Sequence, residues 1–159
     1  MYRKILVPVD GSEPSRLGLL EAIKIAKSQG SQLRLIHVVS EFIFDSSYSA
    51  MSYSPGLIES MRQKGQAILD QAEKLVRDAG LVPECVLVET IGGPAADIIL
   101  RESKSCSAEL IVMGTHGRRG LARLALGSDA EQVIHDSHVP VLVMRPQKQE
   151  GQTAVARVA

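Results

Sequence analysis

Five short, nearly unbroken apolar runs punctuate this chain, and the stretches between them carry helical spacing. That alternation restricts the fold more than any other feature. The runs are KILVPV at 4–9, LRLIHVV at 33–39, CVLV at 85–88, LIVM at 110–113 and VPVLVM at 139–144. A strand apolar on both sides belongs in a sheet covered on both faces, the usual condition of a parallel sheet. Between the runs, Leu17, Leu20, Ile23, Ile25 and Ala26 recur before Gly30. Met61, Ile68, Ala72, Leu75 and Val76 form a stripe within 57–79, and 95–105 is a third helical segment. Pro14 suits the first turn of a helix, Gly80 suits a C′ position, and Gly92-Gly93-Pro94 reads as a turn. Five strands alternating with four helices predict an α/β fold, a single open five-stranded parallel sheet with helices on both faces. With strand order 3-2-1-4-5, the loops beyond the carboxyl ends of the first and fourth strands flank one crevice, where such sheets bind ligands.

There is no internal repeat and no second domain, so residues 1–146 are expected to form one domain. The polar tail 147–159 is expected to be unstructured, and 40–56, rich in Ser and Tyr without a clean period, to be a long mobile loop. At 45% apolar, 159 residues suffice for a sizeable core. Basic and acidic residues balance at 18 each and aromatics are only 3%, which argues against a nucleic-acid partner. The first apolar run is too brief for a signal peptide, and none approaches the ~20 residues of a membrane span. The expectation is a soluble, cytoplasmic protein with no membrane partner. Cys85 and Cys106 make no C-x-x-C and read as two buried thiols in a reducing compartment.

The chemistry concentrates in ELIVMGTHGRRGLARLALGS, residues 109–128. An apolar run breaks at Gly114, Gly117 follows three residues later, and after nine intervening residues Gly127-Ser128 closes the loop. Glycines on both sides of a loop let backbone N–H groups converge on an anion, and a helix starting after the loop adds unpaired amides. Ser128 and Glu131 fit an S-x-x-E capping box, with Ser128 as N-cap. Arg118 can pair with phosphate oxygens; Arg119 and Arg123 suit a solvated loop face. His116 can donate to a phosphate or face water. Asp10, at a strand end before Gly11-Ser12, suits ribose hydroxyls, a phosphate-bound Mg²⁺ or a plain turn. G-x-x-x-x-G-K-[ST] and G-x-G-x-x-G are both absent.

The pattern that is present, Gly114-x-x-Gly117, nine residues, then Gly127-Ser128, resembles the ATP-binding signature of the universal stress protein family. KILVPVDGS, the LIHV of the second strand, IVMGTHGRRG, LGS and VPVLVMR all look like that family. The resemblance implies a Rossmann-like domain of the adenine nucleotide alpha hydrolase-like kind, holding ATP between the first and fourth strand ends. Under it, Pro8, Val9 and Asp10 line the adenosine side, and Val38 meets the adenine edge through its backbone. Met113, Gly114, His116, Gly117, Arg118, Gly127, Ser128 and the amides of Asp129 and Ala130 surround the ribose and phosphates. Mg²⁺ would arrive with the phosphates, beside Asp10 or Ser128. The resemblance also implies a homodimer through the last strand, between Val139 and Met144, an edge that would otherwise lie bare. Position 129 departs from the family in being Asp, a charge that repels phosphates unless it turns away or holds Mg²⁺.

For turnover, Asp10, Glu13 and Asp129 are candidate carboxylates, but no spacing singles out a base, and G-x-S-x-G is missing. His135 and His138 suit a helix end better than a metal, and His37 reads as a packed strand residue. The leading expectation is a regulatory ATP-binding module acting through a protein partner. A slow ATPase or phosphotransferase is the rival, and a nucleotide-free interaction protein the third.

Overall fold

The central strand, β1 (Lys4–Pro8), buries Ile5, Leu6 and Val7 completely, as a strand covered on both faces must. It sits in a computed structural model that describes residues 1–40, 55–90, 92–115 and 126–146. The chain continues through α1 (Glu13–Gln29), β2 (Gln32–Ser40), α2 (Pro55–Asp78), β3 (Glu84–Thr90) and α3 (Ala95–Ser105). It ends with β4 (Leu110–Gly114), α4 (Ser128–Asp136) and β5 (Val141–Met144). All strand pairs are parallel and the order is β3-β2-β1-β4-β5, as expected. The anticipated loop at 40–56 falls almost wholly, and the tail at 147–159 entirely, outside the described residues.

The chain walks outward from β1 through β2 to β3, then returns to lay β4 on the other side of β1. Right-handed crossovers in opposite directions put their helices on opposite faces. One core layer joins Ile5, Val7, Leu33, Leu35 and Val112 to α1 and α2. The other joins Leu6, Ile36, Ile111 and Met113 to α3 and α4.

Several local expectations shift for identifiable reasons. Helix α1 buries Ser15, Gly18, Leu19, Ala22, Ile23 and Ala26, while Leu17, Leu20 and Ile25 are half-buried. Large side chains drew the predicted stripe, but close approach to β4 selects the small face. A Cβ on Gly18 would lie 3.1 Å from the Met113 backbone carbon. On α2 the buried line is likewise Gly65, Leu69, Ala72 and Val76, with Ile68 and Leu75 at its flanks. Strand β5 begins at Val141, not 139; Pro140 contributes only its carbonyl, which accepts from the Ile111 amide at 3.0 Å. Helix ends behave as expected: Gly30 (φ 71°) and Gly80 (φ 83°) take the left-handed conformation after α1 and α2.

Both cysteines are free thiols, as expected, but neither is buried: Cys85 is exposed on the edge strand β3 and Cys106 is half-buried. Partial desolvation, with Glu73 beside it, still pushes the Cys85 thiol up to about 11, which keeps it protonated and unreactive at neutral pH.

At the amino ends of the strands, Arg34 stands between two carboxylates. Its Nη1 lies 2.7 Å from Glu84 Oε2 and its Nε donates to Glu102 Oε1 at 2.6 Å. Lys4 and Gln32 also reach Glu84, at 3.5 and 2.6 Å. Among the described residues, no helix is long and apolar enough to cross a membrane.

Candidate functional site

At the opposite, carboxyl ends of the strands, the chain turns sharply after β1. Asp10 Oδ1 accepts from the Ser12 amide at 2.8 Å, so one oxygen of this carboxylate shapes the turn. Gly11 takes φ 80°, and the side chain of Ile68 on α2 covers it at 3.3 Å from where a Cβ would stand. Ser12 then caps α1 by accepting from the Ser15 amide at 3.3 Å. Ser15, buried, fastens the whole turn, because its Oγ accepts from the Asp10 amide at 3.2 Å and donates to the Pro8 carbonyl at 3.4 Å.

Strand β4 ends against that turn. A Cβ on Gly114 would lie 2.5 Å from the Pro14 carbonyl carbon and 2.6 Å from the Ser15 nitrogen. The end of β4 therefore lies directly against the backbone of the first turn of α1, the turn that follows β1. Thr115, buried, donates its amide to the Met144 carbonyl at 2.9 Å, and its carbonyl accepts from the Gly127 amide at 2.8 Å. This last bond brings the start of α4 directly to the end of β4, whatever path 116–125 takes between them.

The capping box predicted at Ser128 does not form. Gly127 is the N-cap (φ −70°, ψ 150°) and its carbonyl accepts from the Glu131 amide at 2.9 Å. Ser128 is thus already helical, which moves it and Glu131 one residue out of frame for a box. With glycine as cap, no side chain among the described residues satisfies the first-turn amides of Ser128, Asp129 and Ala130, and the end of α4 keeps its partial positive charge.

Asp129 turns away from those amides. Its Oδ1 accepts from the Ala96 amide at 3.2 Å, capping α3, whose own N-cap, Pro94, has no side-chain group to offer. Gln132 repeats the link between the helices by donating to Asp97 at 2.7 Å. The carboxylate that threatened a phosphate site serves the neighbouring helix. Replacing Asp129 with Ala should cost about 1 kcal/mol in urea denaturation, typical of a lost cap, and Asn should recover part of it. Equal losses for Ala and Asn would deny the capping role.

The expected site residues Pro8, Val9, Asp10, Val38, Met113, Gly114, Gly127, Ser128, Asp129 and Ala130 all lie at the carboxyl ends of β1, β2 and β4 or the start of α4. Met113 is there only by its backbone, since its side chain is buried with α3 and α4. His116, Gly117, Arg118, Arg119 and Arg123 lie outside the described residues. His37 is buried, as expected, and its Nδ1 lies 2.6 Å from the Val9 carbonyl. His135 is exposed, hydrogen-bonded to Asp136 at 2.6 Å, which raises its pKa. Among the described residues, no three His, Cys, Asp or Glu stand together as a metal cluster. Ser15 and Thr115 escaped the sequence reading. Ser15 had a signal, since it lies on the buried small-residue line of Gly18, Ala22 and Ala26.

The family model described as the universal stress protein family matches residues 1–145. A universal stress protein of Methanocaldococcus jannaschii is 37% identical over 150 residues, covering 94% of this chain and 86% of the relative. One from Bacillus subtilis, YxiE, is 32% identical, covering 91% of this chain and all of the relative. Among solved structures, the protein MJ0577 superimposes with a TM-score of 0.78 at 26% identity, covering 92% of this chain and 98% of that one. A further structure, of a universal stress protein from Archaeoglobus fulgidus in complex with dAMP, shares the fold with a TM-score of 0.64 at 23% identity. Sequence, order of elements and strand order agree: this chain belongs to the universal stress protein family.

Proposed function

We propose that the chain binds an adenine nucleotide, ATP with Mg²⁺, in the crevice between the ends of β1 and β4, and acts in the cytoplasm as a regulatory module. The observation that carries this reading is the first turn of α4, capped by no side chain among the described residues, held at the end of β4 by the Thr115–Gly127 bond, with Asp129 turned off it. Three convergent amides at a helix start suit phosphates. Asp10 keeps one carboxylate oxygen beyond its turn bond, a fit for a ribose hydroxyl or for Mg²⁺ riding on the phosphates. His116, Gly117 and Arg118 are assigned to the phosphates by their place in the sequence pattern. A relative of the same fold is complexed with dAMP, which supports a purine nucleotide as the class of ligand. Free thiols at Cys85 and Cys106 suit a reducing compartment. A second copy would pair along β5, whose four residues are all half-buried at the sheet edge.

ATP-Mg²⁺ at twenty times its Kd should stabilise the fold by about 1.8 kcal/mol through mass action, seen as a rise of several degrees in Tm. Unmoved melting curves with ATP, ADP and AMP would sink the reading. Phosphate release separates the classes of function: turnover near the ~10 s⁻¹ typical of enzymes would make this an ATPase instead.

A further inference from the structure

The β1–β2 ladder stops one bond short of where its register could carry it, and a side chain is the reason. Residue pairing runs from Lys4↔Gln32 to Pro8↔Ile36. Ile36 faces β1 with both backbone groups, and its carbonyl accepts from the Val9 amide at 2.8 Å. In a parallel ladder the next residue to face β1 is Val38, whose amide would donate to the Val9 carbonyl. That carbonyl instead meets His37 Nδ1 at 2.6 Å. A carbonyl only accepts, so Nδ1 carries the proton. Among the described residues, no hydrogen bond joins the β1-facing amide or carbonyl of Val38 to any partner.

The imidazole cannot swing out of this position. His37 is 6% exposed, and α2 crosses it at Gly65, where a Cβ would stand 2.9 Å from His37 Cδ2 and 2.6 Å from Val39 Cγ2. Glycine in the interior of a 24-residue helix is costly, and here it is the residue that leaves room for the ring.

We propose that His37 is a positioning residue for the base of the ligand. By taking the Val9 carbonyl, it keeps the ladder from closing and leaves a donor and an acceptor on Val38 open to a ring edge that offers the complementary pair, as an aminopurine does. Gly65 is its counterpart, the gap in α2 that keeps the ring in place. This rests on the adenine-nucleotide reading above for the identity of the ligand, but not for the broken ladder itself.

Without the imidazole donor, Val38 can donate to Val9 and zip the edge shut. The test is amide hydrogen exchange on the nucleotide-free protein, followed by titration with AMP and with ribose 5-phosphate. In the wild type, the Val38 amide should exchange at least tenfold faster than that of Ile36. In His37→Leu it should become slower, the opposite of what mere destabilisation does. His37→Asn, which restores an N–H donor near the Nδ1 position, should return it to fast exchange. AMP affinity should fall tenfold or more in His37→Leu while ribose 5-phosphate affinity holds. Gly65→Ala, which pushes the ring from behind, should act in the same direction. Slow exchange at Val38 in the wild type, or equal losses for AMP and ribose 5-phosphate, would overturn the proposal. A wild type that binds no adenine nucleotide yet shows the exchange pattern would defeat only the assignment of the ligand.

Discussion

Gly114→Val should destabilise the protein by about 3–4 kcal/mol, the largest loss expected from any single change at the candidate site. The cost does not come from backbone conformation, because Gly114 is not among the glycines with positive φ. It comes from space. The missing Cβ would lie 2.5 Å from the Pro14 carbonyl carbon, 2.6 Å from the Ser15 nitrogen and 2.8 Å from Pro14 Cβ. Two of these are backbone atoms of the first turn of α1, which is pinned by Ser12 and Ser15, so no rotamer change can relieve them. The strand cannot retreat either, since Gly114 pairs with Met144 in β5. Overpacking usually costs 1–3 kcal/mol, and contacts with unyielding backbone put this case at or above the top of that range. Gly30→Ala is the control: Gly30 has φ 71° but nothing within 4 Å of its would-be Cβ, so it should lose only about 1 kcal/mol to the left-handed conformation. Urea midpoints for the two variants settle the matter, and a Gly114→Val protein within 1 kcal/mol of wild type would show that β4 and α1 are not in contact as described.

That same glycine marks the limit of what could be read from the chain. Parallel strands followed from continuous apolar runs, because burial on both faces leaves a local imprint in sequence, whereas strand order leaves none and entered only as the arrangement that sets the first and fourth strands side by side. Gly114 was legible as special, but its reason was not. A glycine that bares amides for a ligand and one that admits another helix look alike until the partner is known. Asp129 was legible as a problem for phosphates, whereas its solution lies 33 residues away at Ala96, and no local pattern records a cap supplied by another helix. Ser128 misled by a single residue, since the box motif does not say which of two neighbours begins the helix. His37 was read as packing, and it does pack; only the register of β1 on β2 shows that its ring nitrogen occupies the place of a backbone donor.

Arg34→Met should cost about 2 kcal/mol at pH 7, and the loss should shrink in acid. Arg34 holds Glu84 and Glu102 apart at the amino ends of β2 and β3 and at α3. Removing it leaves two carboxylates near one another, with Lys4 at 3.5 Å from Glu84 as the remaining cation. Breaking a fully buried pair costs 3–5 kcal/mol; here Arg34 is 24% and Glu84 35% exposed, so solvent screening lowers the figure. The hydrogen bond from Arg34 is the main cause that lowers the Glu84 pKa below its ordinary 4.5. A carboxylate with a depressed folded pKa contributes stability above its unfolded pKa and loses it as pH falls through the folded value. The wild type therefore gives up this contribution below about pH 4.5, while the variant has little of it to lose. Urea midpoints at pH 7 and pH 4 should show the gap between the proteins narrowing, and 0.5 M salt at pH 7 should narrow it less than acid does. A gap that is the same at both pH values would mean that Arg34 acts through its buried methylenes rather than its charge. Because the network lies at the opposite ends of the strands from the crevice, the folded variant should keep wild-type nucleotide affinity, which separates stability from binding in this fold.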